Sequence, residues 1–220
     1  MLTLYITDIS DLDDPMESPE ILSGLSENRK GKILRHKSTE GRLQSVGAGL
    51  LLMYALRMHG FEDANIAEGK HGKPYCEGIC FNLSHSADRV ICAIGDFPVG
   101  CDIEKIKPFR KSLAERFFTD SENAWLYSFE GKERDAAFFR LWTAKESYMK
   151  LTGEGFSLSA KDFLVDLKEN TVTRRKELTA CRLYELYHPD YCITVCSAEK
   201  DIQKEAIPVS ARLLADMYTK

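Results

Sequence analysis

Between Ile79 and Ile103 the chain repeats one pattern three times, a short apolar run followed by a turn. The runs are Ile79 to Leu83, Arg89 to Ile94 and Val99 to Ile103, separated by the polar stretch Asn82 to Asp88 and by Gly95-Asp96. Such closely spaced runs predict a meander of short antiparallel strands. Two long helical patterns flank them. Leu25 to His59 opens with a basic cluster (Arg29, Lys30, Lys32, Arg35, Lys37, Arg42) and continues with Leu50, Leu51, Met53, Tyr54 and Leu56, with Gly60 as a stop. Glu133 to Leu151 ends near Gly153 in the same way. Helices beside antiparallel strands define an α+β chain.

The remaining segments fit that frame. Leu2 to Ile6 alternates as a strand, and Ser112 to Phe118 reads as a helix. Thr119 with Glu122 three residues later is a capping box for a following helix. Strands return at Phe163 to Leu167, Cys181 to Leu186 and Tyr191 to Ser197, while residues 204–220 show no clear period. Two halves result, residues 1–105 and 106–220, each with strands and one long helix.

At 220 residues and 44% hydrophobic the chain can bury a core as one large domain or two small ones. Its net charge of −4 argues against a nucleic-acid-binding protein, which needs a basic surplus. No apolar run reaches the roughly 18–20 residues that span a bilayer. The segment Met1 to Ile6 lacks a basic leader and runs into Asp8, Asp11, Asp13 and Asp14, unlike a signal peptide. Seven cysteines, an odd number, point to free thiols, and Cys76 with Cys80 has no second pair at zinc spacing. A cytoplasmic protein is expected.

Three constellations carry chemistry. In Val99-Gly100-Cys101-Asp102-Ile103-Glu104 the two carboxylates stand two residues apart on a strand, so they share a face with Cα atoms about 6.6 Å apart. They can converge on one cation or simply face solvent at a strand end. In the segment Trp142 to Lys150, Trp142, Glu146 and Lys150 fall at i, i+4 and i+8 on one helical face. Trp142 can anchor that face, leaving Glu146 as a third metal ligand and Lys150 as a phosphate contact, or as an exposed ion pair. In Phe81-Asn82-Leu83-Ser84-His85-Ser86 a strand ends in hydroxyl, imidazole and hydroxyl, groups able to donate to phosphate. A Ser-His nucleophile is the rival reading, but no G-x-S-x-G elbow and no third partner accompany it. No Walker A loop is present either.

Taken in order, these segments and Gly72-Lys73-Pro74 before them resemble the phosphopantetheinyl transferase superfamily of the surfactin-synthetase type. That family carries G-K-P, N-x-S-H-S, G-x-D-x-E and W-x-x-K-E-x-x-x-K, and residues 72–150 here match each in turn. The resemblance implies two similar α/β halves related by pseudo-twofold symmetry, with the active site in the cleft between them. It implies a holo-[acyl-carrier-protein] synthase reaction, in which coenzyme A gives its 4'-phosphopantetheine arm to a serine of an acyl or peptidyl carrier protein and 3',5'-ADP leaves. It also implies Mg²⁺ held by Asp102, Glu104 and Glu146, with Lys150 beside the bridging phosphate oxygen. Lys73, Ser84 and His85 are implied to contact phosphate, and Arg42 and Lys30 the 3'-phosphate. Glu146 is the implied base for the carrier serine, alone or through a metal-bound water. A monomer is expected.

The basic residues Lys105, Lys107, Arg110 and Lys111 could steer an acidic carrier. Phe117, Phe118, Trp125 and Leu126 could form an apolar docking patch or pack in the core. An inactive coenzyme A- or carrier-binding module of the same fold is the alternative, against which the intact Asp102, Glu104, Glu146 and Lys150 stand.

Overall fold

A computed structural model describes residues 1–62, 64–69 and 73–218. Gly72 of the G-K-P segment therefore lies outside the described residues. The chain opens with β1 (Thr3–Asp8), followed by α1 (Glu27–Arg35) and α2 (Thr39–Met58). Sequence pattern alone reads Leu25 to His59 as one helical stretch. It is two helices, because Ser38 adopts extended backbone and its side chain accepts the Gly41 N–H, starting a second helix. Ser26 caps α1 in the same manner through the Arg29 N–H.

A two-stranded ribbon, β2 (Ala67–Glu68) with β3 (Pro74–Tyr75), leads to the hairpin of β4 (Cys80–Ser86) and β5 (Arg89–Gly95). The predicted loop from Asn82 to Asp88 is corrected here. Asn82 to Ser86 belong to β4, and the turn is confined to Ala87-Asp88, with Ala87 at a φ of 49°. The third run becomes β6 (Val99–Lys105), but it does not complete a meander. Both edges of β5 are already taken, by β1 and β4, so β6 starts a second sheet.

The chain continues with α3 (Lys111–Phe117), α4 (Asp120–Leu126), α5 (Gly131–Thr152), β7 (Phe163–Asp166), β8 (Thr171–Arg174), β9 (Glu177–Leu186) and β10 (Tyr191–Ser197). The capping box forms, with Thr119 accepting the Glu122 N–H and Glu122 accepting the Thr119 N–H. Helix α5 ends at Gly153, whose φ of 66° suits a residue without a side chain. Residues 204–218, unplaced from sequence, supply β11 (Ile207–Pro208) and α6 (Ala211–Tyr218), and β11 pairs in parallel with β1.

The main sheets run β11-β1-β5-β4 and β6-β10-β9-β8-β7. Helix α2 covers the first and α5 packs on β6 and β10 of the second. A core of Leu2, Leu4, Ile91, Val99, Ile103, Ile193 and Val195 lies between them. Alternate residues of β5 serve the two faces: Val90, Cys92 and Ile94 pack with α2, while Ile91 and Ala93 enter the inter-sheet core. The protein is thus an α+β fold in which β4, β6 and α5 meet.

Helix α5 approaches β6 closely because position 100 carries no side chain. A methyl group there would collide with the Ser147 carbonyl oxygen and the Leu151 amide nitrogen and stand 3.0 Å from Leu151 Cα. Trp142 anchors the same helix, stacked on Phe138 with centroids 5.9 Å apart and edge-on to Phe117 at 5.3 Å. Phe118 and Leu126 are completely buried, which removes them from any docking patch.

Candidate active site

Asp102 and Glu104 project from β6, and Glu146 and Lys150 from α5. Lys150 Nζ donates to Asp102 Oδ1 at 2.6 Å and to Ser84 Oγ at 2.8 Å. Ser84 Oγ donates to the same Asp102 oxygen at 2.7 Å. Asp102 is 5% exposed, and its second oxygen, Oδ2, is buried without a partner among the described residues. Ser86 Oγ donates to Glu104 Oε2 at 2.8 Å.

Negative charge exceeds positive at this point, three carboxylates to one ammonium. Burial and then the neighbouring carboxylates raise both glutamates: Asp102 acts on Glu104, and Asp102 with Glu104 acts on Glu146. Burial alone would lower Lys150, but Asp102, Cys101 and Glu146 hold its pKa above the ordinary value. Among the described residues no three His, Cys, Asp or Glu side chains form a ready cation cage. The donor set still fits a hard divalent cation. It is all oxygen, it carries surplus negative charge, and Asp102 Oδ2 is a buried carboxylate oxygen with nothing bonded to it.

The residues expected to bind phosphate are placed differently from one another. His85 is exposed on the opposite face of β4 from Ser84. Although part of the ring reaches solvent, desolvation by the surrounding protein atoms first, then Lys150, Arg29 and His36, lowers its pKa, against an upward pull from Asp102. Lys73 donates to the Lys150 carbonyl oxygen at 2.6 Å, and burial lowers its pKa. Ser84 is engaged: its hydroxyl donates to Asp102 and accepts from Lys150 and the Ile103 N–H, so a phosphate contact there requires this network to rearrange. Arg42 is likewise committed. Its fork grips Asp14 through two contacts, Nε to Oδ1 at 2.8 Å and Nη2 to Oδ2, while Nη1 donates to the carbonyls of His36 and Lys37. A phosphate contact there requires that pair to open. Lys30 pairs with Glu27 at 2.8 Å on an exposed helix face.

Sequence reasoning missed two features. Lys145, the lysine beside Glu146, turns away from the site and is 2% exposed. Its Nζ donates to Glu122 Oε1 at 2.7 Å and to the Phe163 carbonyl at 3.1 Å, and the cation lies 4.4 Å from the Phe163 ring centroid. Glu122 also accepts the N–H groups of Val165 and Thr119, so the capping glutamate doubles as the buried counter-ion. The second feature is Ser86 on Glu104, whose i+2 spacing from Ser84 matches that of the two carboxylates. A cavity of about 500 Å³, lined by Leu25, Arg29, Lys32, Leu52, Phe61 and Pro74 among others, lies apart from the carboxylates.

The match to known proteins follows this geometry. The family model described as the 4'-phosphopantetheinyl transferase superfamily matches residues 98–196, the span from β6 to β10 that contains Asp102, Glu104, Glu146 and Lys150. The 4'-phosphopantetheinyl transferase gsp of Aneurinibacillus migulanus is 32% identical over 183 residues, 80% of this chain and 77% of that protein. The 4'-phosphopantetheinyl transferase Sfp of Bacillus subtilis is 30% identical over 213 residues, 90% of this chain and 95% of that protein. The 4'-phosphopantetheinyl transferase HetI of Nostoc is 29% identical over 209 residues, 87% of this chain and 88% of that protein. With likeness running through nearly the whole length and the four motifs meeting at one place, the chain belongs to the 4'-phosphopantetheinyl transferase superfamily.

Proposed function

We propose that this protein transfers the 4'-phosphopantetheine arm of coenzyme A to a serine hydroxyl of an acyl or peptidyl carrier protein, a holo-[acyl-carrier-protein] synthase reaction. The observation that carries the reading is Asp102, a buried carboxylate with Lys150 on one oxygen and nothing on the other, flanked by Glu104 and Glu146. Asp102, Glu104 and Glu146 would hold Mg²⁺, which when bound neutralises charge on the pyrophosphate and orients it.

The chain's own groups supply the rest. Lys150 carries a firmly held positive charge and, on moving from Asp102 to the bridging oxygen of the pyrophosphate, stabilises the charge that develops there. Lys73 and His85 contact phosphate oxygens. Glu146, made more basic by burial and by its acidic neighbours, takes the proton of the carrier serine. The serine oxygen forms a bond to the β-phosphorus, the bond from that phosphorus to the bridging oxygen breaks, and 3',5'-ADP leaves. Residues 1–105 provide phosphate contacts and the D-x-E pair, and residues 106–220 provide the helix bearing Glu146 and Lys150.

Lys107 and Arg110, both exposed beyond β6, would steer an acidic carrier. Lys105 and Lys111 are partly occupied, by Asp88 at 3.9 Å and Glu115 at 3.6 Å. All seven cysteines are free, which suits the reducing cytoplasm, where the protein would work as a monomer. No helix among the described residues is long and apolar enough to cross a membrane.

Intact-protein mass spectrometry of an apo carrier incubated with this protein, coenzyme A and Mg²⁺ tests the reading. A gain of one phosphopantetheine, lost with EDTA and with Glu146→Gln, is expected. No gain, with coenzyme A binding still measurable by calorimetry, would identify a binding module instead.

A further inference from the structure

Strands β4 and β6 belong to different sheets and share no backbone ladder, yet they lie side by side. One edge of β6 pairs with β10. Along the other edge, the N–H groups of Cys101, Ile103 and Lys105 donate to Asn82 Oδ1 at 2.9 Å, Ser84 Oγ at 3.4 Å and Ser86 Oγ at 3.2 Å. Alternate side chains of β4 thus replace a missing strand. Two of these three rungs also reach a carboxylate. Ser84 shares Asp102 with Lys150, whereas Ser86 is the hydroxyl that holds Glu104.

Glu104 has three rotatable bonds and stands near the end of its strand, where a free side chain would sample several rotamers. Ser86 is 8% exposed and gives its single proton to Glu104 Oε2, so that oxygen is fixed and Oε1 remains available. We propose that Ser86 is a positioning residue, orienting Glu104 so that its free oxygen acts together with the unpartnered Asp102 Oδ2 on the divalent cation. This rests on the metal-dependent reading above. Asn82 provides the internal comparison, because it makes the same kind of rung without touching a carboxylate.

The test is Mn²⁺ binding to the full chain in the presence of coenzyme A, followed by the electron paramagnetic resonance signal of free Mn²⁺, alongside thermal unfolding. Ser86→Ala should weaken Mn²⁺ binding roughly ten- to hundredfold, the scale for a residue behind a metal ligand. Ser86→Thr, which keeps the hydroxyl, should restore most of it. In a Glu104→Gln background, removing Ser86 should cause no further loss, since the effect runs through that carboxylate. Asn82→Ala should lower the melting temperature without this loss of affinity. If Ser86→Ala does not fold, Ser86→Cys, of similar size but a weaker donor, carries the measurement. Wild-type affinity in the serine variant overturns the proposal, as does a loss that Ser86→Thr shares or that Asn82→Ala reproduces. A wild-type chain that binds no Mn²⁺, or an Asp102→Asn variant that binds as tightly as wild type, overturns the metal-dependent reading itself and this inference with it.

Discussion

Lys150 Nζ rests 2.6 Å from Asp102 Oδ1, joining the long helix α5 to β6, the strand that carries the D-x-E pair. Both side chains are largely shielded, at 29% and 6% exposed. Removing one partner of such a pair strands the other in a poorly solvated place. Lys150→Met should therefore destabilise the metal-free protein, toward the lower end of the ~3–5 kcal/mol typical of a broken buried pair. Mg²⁺ should recover more stability in this variant than in wild type, because it replaces the missing cation beside Asp102. Urea unfolding with and without Mg²⁺ reads this, and equal Mg²⁺ responses would count against a shared site. Phosphopantetheine transfer should fall by about 10²-fold or more, as for loss of a charge-stabilising donor.

Gly100 sets how near α5 can come to β6. The atoms a methyl group would strike belong to the backbone of Ser147 and Leu151 and cannot rotate aside. Gly100→Ala should cost at least the ~1–3 kcal/mol of an overpacked core and separate Asp102 and Glu104 from Glu146 and Lys150, lowering transfer as well as stability. A wild-type unfolding midpoint for this variant would show that the contact can relax.

The buried pair of Lys145 and Glu122 ties α5 to α4 and β7, with side chains 3% and 2% exposed. Lys145→Met should cost about 3–5 kcal/mol by leaving the buried Glu122 charged without its counter-ion. The double variant Glu122→Leu/Lys145→Met should recover part of that loss, since an apolar pair needs no counter-ion. Denaturant unfolding of the two variants settles the comparison, and equal losses would assign the cost to the helix cap instead.

The parts of this molecule readable from sequence are those set by local pattern. The Thr119-Glu122 capping box, the stop at Gly153 and the strand β1 each depend on residues within a few positions of one another. What escaped depends on distant partners. Nothing near Val99 shows that β5 has both edges occupied, so β6 was expected beside β5 rather than beside β10. The hydroxyls of Ser84 and Ser86 read from sequence as groups for phosphate, and their bonds to the carboxylates of β6 become visible only in the fold. Lys145 carries no signal of burial in its own sequence neighbourhood, since its partner Glu122 lies on α4, 23 residues away. The i+2 match between the two serines and Asp102 with Glu104 was present in the sequence, and becomes informative once β4 and β6 are known to be neighbours.

His85 supplies the pH dependence. Its imidazole feels, through space, Lys150 of α5, Arg29 of α1 and His36 in the link between α1 and α2, with Asp102 of β6 as the opposing influence. Desolvation and these neighbouring groups lower its pKa below the ordinary 6.5. As pH falls past 6.5, the unfolded chain takes up the proton first, so the unfolded state gains and stability declines until the lowered folded pKa is passed. Above 6.5 the ring is neutral in both states and contributes no slope. Replacing the ring by His85→Asn should flatten that part of the pH–stability curve. The ring should titrate below 6.5 by nuclear magnetic resonance in the free protein and move upward when 3',5'-ADP is added, because phosphate oxygens favour the imidazolium. A ring that titrates at or above the ordinary value without ligand would refute the crowding argument, and one unmoved by 3',5'-ADP would take His85 out of the phosphate site.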